Sequence, residues 1–170
     1  MSRRQRVGQE IGQARVTFRA LAEGATPAGL RRRSAGTRWT NRQLLFHMVF
    51  GYLVVRALLP LVRVFGRLPI SYSRRFSGVL HAVRRPYNLV NYLGSCGGGL
   101  LLSLPAVVRL MDQTTRGLQR RLERETPQTL ALTMAFPTSW DPYFTETMTV
   151  LDVYHFGTQH FRHHQNQLTL

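Results

Sequence analysis

Histidine is scarce in this chain, six in 170 residues, yet His160, His163 and His164 fall within five positions of one another in QHFRHHQNQL. If that segment is helical, His160 and His164 lie one turn apart and project side by side. Gln167 returns to within about 20° of His160. Thr149, Val153 and Phe156 share the same stripe, so it is apolar in its first turns and ligand-like at its end. Two imidazoles at i, i+4 form a bidentate clamp for a first-row divalent metal, which they bind through neutral nitrogens. His163 points about 60° aside and His155 about 140° away, so both are poorer candidates for one site. The plainer alternative is a basic, polar C-terminal tail.

A clamp needs a third ligand, and the chain offers His47 and His81. His47 sits in LLFHMVF, two turns into a very apolar stretch, so it should be buried with its ring nitrogens partnered. It either bonds a backbone carbonyl as a core residue or faces the clamp and completes a three-histidine site. No carboxylate is evidently placed as a general base. Asp152 lies about 80° from His160 and suits a helix cap; Asp141 and Glu146 precede the last helix, from where either could reach inward. Cys96 is the only cysteine, which excludes an internal disulfide and a cysteine-based zinc site. In YLGSCGGGLL it has no nearby base and reads as a small buried or loop residue.

Four helices must position these residues. The first covers roughly 5–24, with Val7, Ile11, Ala14, Phe18, Leu21 and Ala22 on one face. The second has a capping box, Thr40 with Gln43, and a Trp39–Leu44 pair at staple spacing. It runs through NRQLLFHMVFGYLVVRALL to Pro60 or slightly past it. The third runs from about 104 to 125, with Leu104, Val107, Val108, Met111, Thr115, Leu118 and Leu122 inward. The last starts near Thr147 or Thr149 and continues almost to the C-terminus. Residues 66–100 mix short helical pieces with turns, and an excursion of that length reads as an insertion or lid. No segment reads as a sheet. The architecture predicted is all-α: one domain, residues 1–170, an antiparallel four-helix bundle with a long irregular insertion between its second and third helices.

RWTNRQLLFHM and TQHFRHHQNQL, in this order at the two ends of a bundle, resemble the DinB superfamily. Trp39, Thr40 and His47 match its first motif, and His160, His164, Gln167 and Leu168 match its second. The opening helix is also similar, whereas 66–100 departs from the pattern. The resemblance implies a divalent metal, zinc or nickel, held by His47, His160 and His164 with a position left open for water or a thiolate. Gln167 would orient a ligand or the bound water. It also implies thiol-dependent transfer or hydrolysis as the reaction, with a low-molecular-weight thiol as a possible cofactor. Arg74 and Arg75, or Arg84 and Arg85, could then meet anionic groups of a cofactor or substrate, or simply form a solvated face.

The formal charge of +15 comes from 23 arginines and no lysine. Total exclusion of lysine reflects codon bias more than phosphate recognition, for which lysine serves well. No helix-turn-helix or basic–aromatic interleaving is present, so no specific nucleic-acid partner is expected. The basic N-terminus has no apolar core and is not a secretory signal. Residues 44–65 are interrupted by Arg56, Arg63 and Pro60, and residues 86–108 by two prolines and a glycine run, so a membrane partner is not expected. The expectation is a cytoplasmic protein acting on a small-molecule substrate, paired with a second copy that covers the apolar surface of 86–108. The competing functions are a non-catalytic binding or stress-associated module on the same fold, and a basic protein attached to membrane or nucleic acid.

Overall fold

The computed structural model describes residues 1–170. Each long helix starts at a cap that the sequence encodes. Ser2 with Gln5 opens α1 (Arg3–Gly24), Thr40 with Gln43 opens α3 (Asn41–Phe65), and Thr149 with Asp152 opens α8 (Val150–Gln165). In each capping box two otherwise orphaned backbone N–H groups are satisfied. Ser103 caps α6 (Leu104–Arg124), and Pro105 occupies its first turn, where a missing N–H costs nothing. Short helices α2 (Pro27–Arg31) and α7 (Pro127–Leu130) start at Thr26 and Thr126 in the same way.

α3 is the centre. It packs against α8, α6 and α5, while α1 packs against α6 and α8. Its buried residues run from Asn41 to Val62, past Pro60, so the helix extends about a turn beyond the proline. It is the one helix long and apolar enough to cross a membrane, and more than half of its most apolar window is buried inside the protein. The core also takes Val7, Ile11, Ala14 and Phe18 of α1, Val107, Met111, Leu118 and Leu122 of α6, and Val153, Phe156 and Phe161 of α8. The predicted inward faces are therefore the ones buried.

Two expectations are corrected. Residues 66–100 are not irregular: they form α4 (Ile70–Ala82) and α5 (Arg84–Leu101), separated only by Val83. Pro86 lies in the first turn of α5, where proline is tolerated. Two of the three glycines in the run belong to the face pressed on α3. A side chain at Gly98 would strike the Phe46 ring, and one at Gly99 would lie 2.8 Å from Gln43 Cα. Glycine is what lets the two backbones approach this closely. A small sheet is also present. β1 (Thr133–Ala135) pairs antiparallel with β2 (Thr147–Thr149), with Met134 opposite Met148. The pair closes the base of the loop 136–146 and delivers it to the start of α8.

Candidate metal centre

His47, His160 and His164 are all buried, and one ring nitrogen from each lies within 4.8 Å of the others. α3 supplies the first and α8 the other two, on the face that α8 packs against α3. His81 lies elsewhere, on α4, bonded to Ser139. His155 faces Glu10 of α1, and His163 meets Tyr143. The structure thus brings together the three predicted histidines and leaves the other three outside.

The tautomers follow from the partners. His160 Nδ1 lies 3.0 Å from Asp141 Oδ2, a carboxylate that can only accept, so Nδ1 carries the proton. His164 Nδ1 donates to Gln167 Oε1 at 2.7 Å. His47 Nδ1 lies 3.0 Å from Ser95 Oγ. The Ser95 hydroxyl donates its one proton to the Asn91 carbonyl, so its oxygen accepts from His47. All three rings are therefore protonated at Nδ1, and all three Nε2 lone pairs point into the site.

This inward arrangement is unfavourable without a cation. His47 Nε2 and His164 Nε2 stand 3.1 Å apart with no proton between them. His160 Nε2 is buried with no hydrogen-bond partner. Charging a ring would supply the proton, but the surroundings oppose it. Burial, followed by the neighbouring histidines, holds His47 well below its usual pKa. Burial and His160 lower His164 to about 4, against a smaller upward effect from Gln167. Neutral imidazoles with converging lone pairs are the donor set a borderline divalent metal takes. Two nitrogens on one tetrahedral zinc are about 3.4 Å apart, close to the 3.1 Å seen here. The residues fit a metal ion.

Trp39 lies over the site, stacked on the His47 ring at 4.3 Å and on Tyr92 of α5 at 6.1 Å. A cavity of about 150 Å³ opens beside the three histidines. Its walls are mostly aromatic: Trp39, Phe50, Tyr87, Trp140 and Phe156, with Asn91 and Asp141 as the other polar groups. Asn91 Oδ1 is buried there without a partner. Neither Arg74–Arg75 nor Arg84–Arg85 lines this cavity.

The loop 136–146 places Asp141. Trp140 stacks on Tyr87 at 3.8 Å and donates its indole N–H to the Leu80 carbonyl, which pins the loop to α4 and α5. Asp141 Oδ1 accepts from the Tyr143 amide at 2.9 Å. Glu146, the other carboxylate considered, is exposed, and Asp152 serves the α8 cap as expected. One contact, Ser95 on His47, was missed in the sequence, and one, Asp141 on His160, was only half resolved. Ser95 lies in the segment that resisted assignment, and Asp141 was one of two equal candidates. The aromatic residues flanking Asp141 were the available signal, since a loop with a Trp–Asp–Pro–Tyr run is one that gets anchored.

No curated protein and no solved structure matches the chain. A family model described as DinB superfamily matches residues 10–168, a span that holds Trp39, all three histidines and Gln167. The chain belongs to the DinB superfamily.

Proposed function

We propose that this protein is a metal-dependent enzyme in which His47, His160 and His164 hold a divalent ion, zinc or nickel, within an antiparallel four-helix bundle of α1, α3, α6 and α8. The observation that carries this reading is the convergence of three Nε2 lone pairs, each enforced by an acceptor at Nδ1. Three protein ligands leave a position open, as in catalytic rather than structural sites. When bound there, the metal lowers the pKa of a thiol or a water and makes it nucleophilic near neutral pH.

The chain's own residues supply the rest. Asp141, Gln167 and Ser95 fix ring orientation and keep the Nδ1 protons in place. The aromatic walls exclude bulk water and take an apolar portion of the substrate. Asn91 Oδ1 offers an acceptor that orients a donor group on it. The only carboxylate in the cavity, Asp141, is already engaged by His160 and by the Tyr143 amide. No free general base remains to deprotonate water. A thiol, with a pKa near 8.5 against 15.7 for water, needs far less help. This favours a thiol-dependent S-transferase over a hydrolase. With one free cysteine and no disulfide, the chemistry suits the reducing cytoplasm.

The test is metal content by plasma mass spectrometry on untagged protein, beside His47→Ala and His164→Ala. About one ion per chain, lost in both variants, is the expected result for a three-ligand site. A wild type that takes up neither zinc nor nickel would sink the enzyme reading and leave a binding module on the same fold.

A further inference from the structure

We infer that the outward face of α5 docks on an anionic lipid bilayer. The inner face of this helix, through Ser95 and Gly99, is buried against α3. Its outer face is not polar, as a solvated helix would require. Leu89, Val90, Leu93, Leu100 and Leu101 are each more than half exposed, Leu101 at 86%. At helical spacing they occupy one stripe, interrupted only by glycine and proline. A contiguous apolar stripe of this kind marks an interaction surface.

Charge says which occupant fits. Codon bias can choose arginine over lysine, but it does not decide where acids fall. All eight Asp and Glu residues lie outside positions 24–111, and thirteen arginines lie inside them. Arg84 and Arg85 open α5, and Arg74 and Arg75 lie on α4; all four are exposed and none has an ion-pair partner. Neither α4 nor α5 carries an acid, so a second copy would set the leucine stripe of α5 against an identical one with no carboxylate of its own to meet Arg84 and Arg85. An anionic membrane surface offers phosphates to the arginines and acyl chains to the leucines, the pairing that seats interfacial helices. α5 also walls the metal cavity through Tyr87 and Asn91, so docking holds the site about one helix diameter, ~10 Å, from the lipid.

The experiment is flotation of the full-length protein with vesicles of phosphatidylcholine alone or with about a third phosphatidylglycerol. Wild type should float with the anionic vesicles and not with the neutral ones. Leu93→Gln/Leu101→Gln keeps every charge and should lower partitioning at least about tenfold. Arg84→Gln/Arg85→Gln should lower it by about fivefold or more. Arg120→Gln/Arg124→Gln, on α6, should leave it unchanged. Because Leu93 and Leu101 are exposed, metal content and helicity stay as in wild type. Absence of flotation, indifference to the leucine pair, or equal loss from both arginine pairs overturns the inference. So does a dimer in solution that Leu93→Gln/Leu101→Gln converts to monomer, which would assign the stripe to a second copy.

Discussion

Gly51 lies one turn after His47 on α3 and touches the His160 ring. A Cβ there would stand 3.0 Å from Nε2 and 3.3 Å from Cγ, and closer still to Cδ2. Carbon atoms in contact want about 3.5–4.0 Å, so Gly51→Ala forces the imidazole back by roughly an ångström. Metal–ligand distances tolerate about 0.2 Å. The displacement is several times larger, and His160 is lost as a ligand although no ligand has been changed. Metal affinity should fall at least about 100-fold, beyond the loss expected from an outer partner. Fold stability should move little, because alanine gains about 1 kcal/mol in helix propensity against an overpacking cost of about 1–3 kcal/mol. Gly78→Ala is the control. It lies on α4 with nothing within 4 Å, and should raise stability slightly with metal affinity intact. Competition against a chelating dye reads affinity, and thermal melts of chelated protein read stability. Wild-type affinity in Gly51→Ala would refute the convergent geometry, since it would place His160 outside the metal's reach.

Asp141→Asn keeps the shape of the acceptor and removes its charge, so metal affinity should drop roughly 10–100-fold, measured by the same competition. Ser95→Ala, which removes the acceptor at His47 Nδ1, should weaken binding in the same direction and thereby show that α5 belongs to the site. The metal-free fold should be acid-sensitive. His47 and His164 are held below the unfolded value near 6.5, so the unfolded chain binds protons first as pH falls. Stability is therefore full above about pH 6.5 and declines as pH drops toward the His164 value of about 4, by at most about 1.4 kcal/mol per group per pH unit. Melting temperatures of chelated protein at several pH values check this, and His47→Gln/His164→Gln should flatten the slope. Arg63 and Glu125 form a nearly buried pair joining α3 to the end of α6, with Tyr154 donating to Glu125. Arg63→Ala should cost about 1–3 kcal/mol in chemical denaturation, because Glu125 loses its nearest cation but keeps the Tyr154 hydroxyl and Arg121.

Helical phase carried most of the metal centre in the sequence. A period of 3.6 residues puts His160, His164 and Gln167 on the stripe of Val153 and Phe156, and an apolar stripe must face inward. His47 followed from its apolar neighbours together with the cap at Thr40, which fixes where the helix starts and so which face turns in. Trp39 was read as a staple and as part of the first motif; its ring stacks on His47. The Nδ1 partners were harder because only Gln167, in the turn just past α8, is close in sequence to its histidine. Asp141 is brought in by a loop whose course depends on the stacking of Trp140 on Tyr87, 53 positions away. No local pattern encodes a contact of that range.

α5 was unreadable for a reason that bears on its role. Glycine weakens an isolated helix by roughly 1 kcal/mol per residue, so Gly97, Gly98 and Gly99 argue against a helix in any local reading. The helix exists because Gly98 and Gly99 let it sit on α3 at Phe46 and Gln43, in a contact that bulkier residues would prevent. Its helicity is thus a tertiary consequence, while its outer leucines gain nothing from the contact. The same close approach puts Ser95 on His47 and Asn91 at the cavity. Residues 84–101 therefore supply both a partner for the His47 ring and a wall of the cavity beside the three histidines. Substitutions on the inner side of α5 should therefore change what the cavity admits while leaving His47, His160 and His164 in place on α3 and α8.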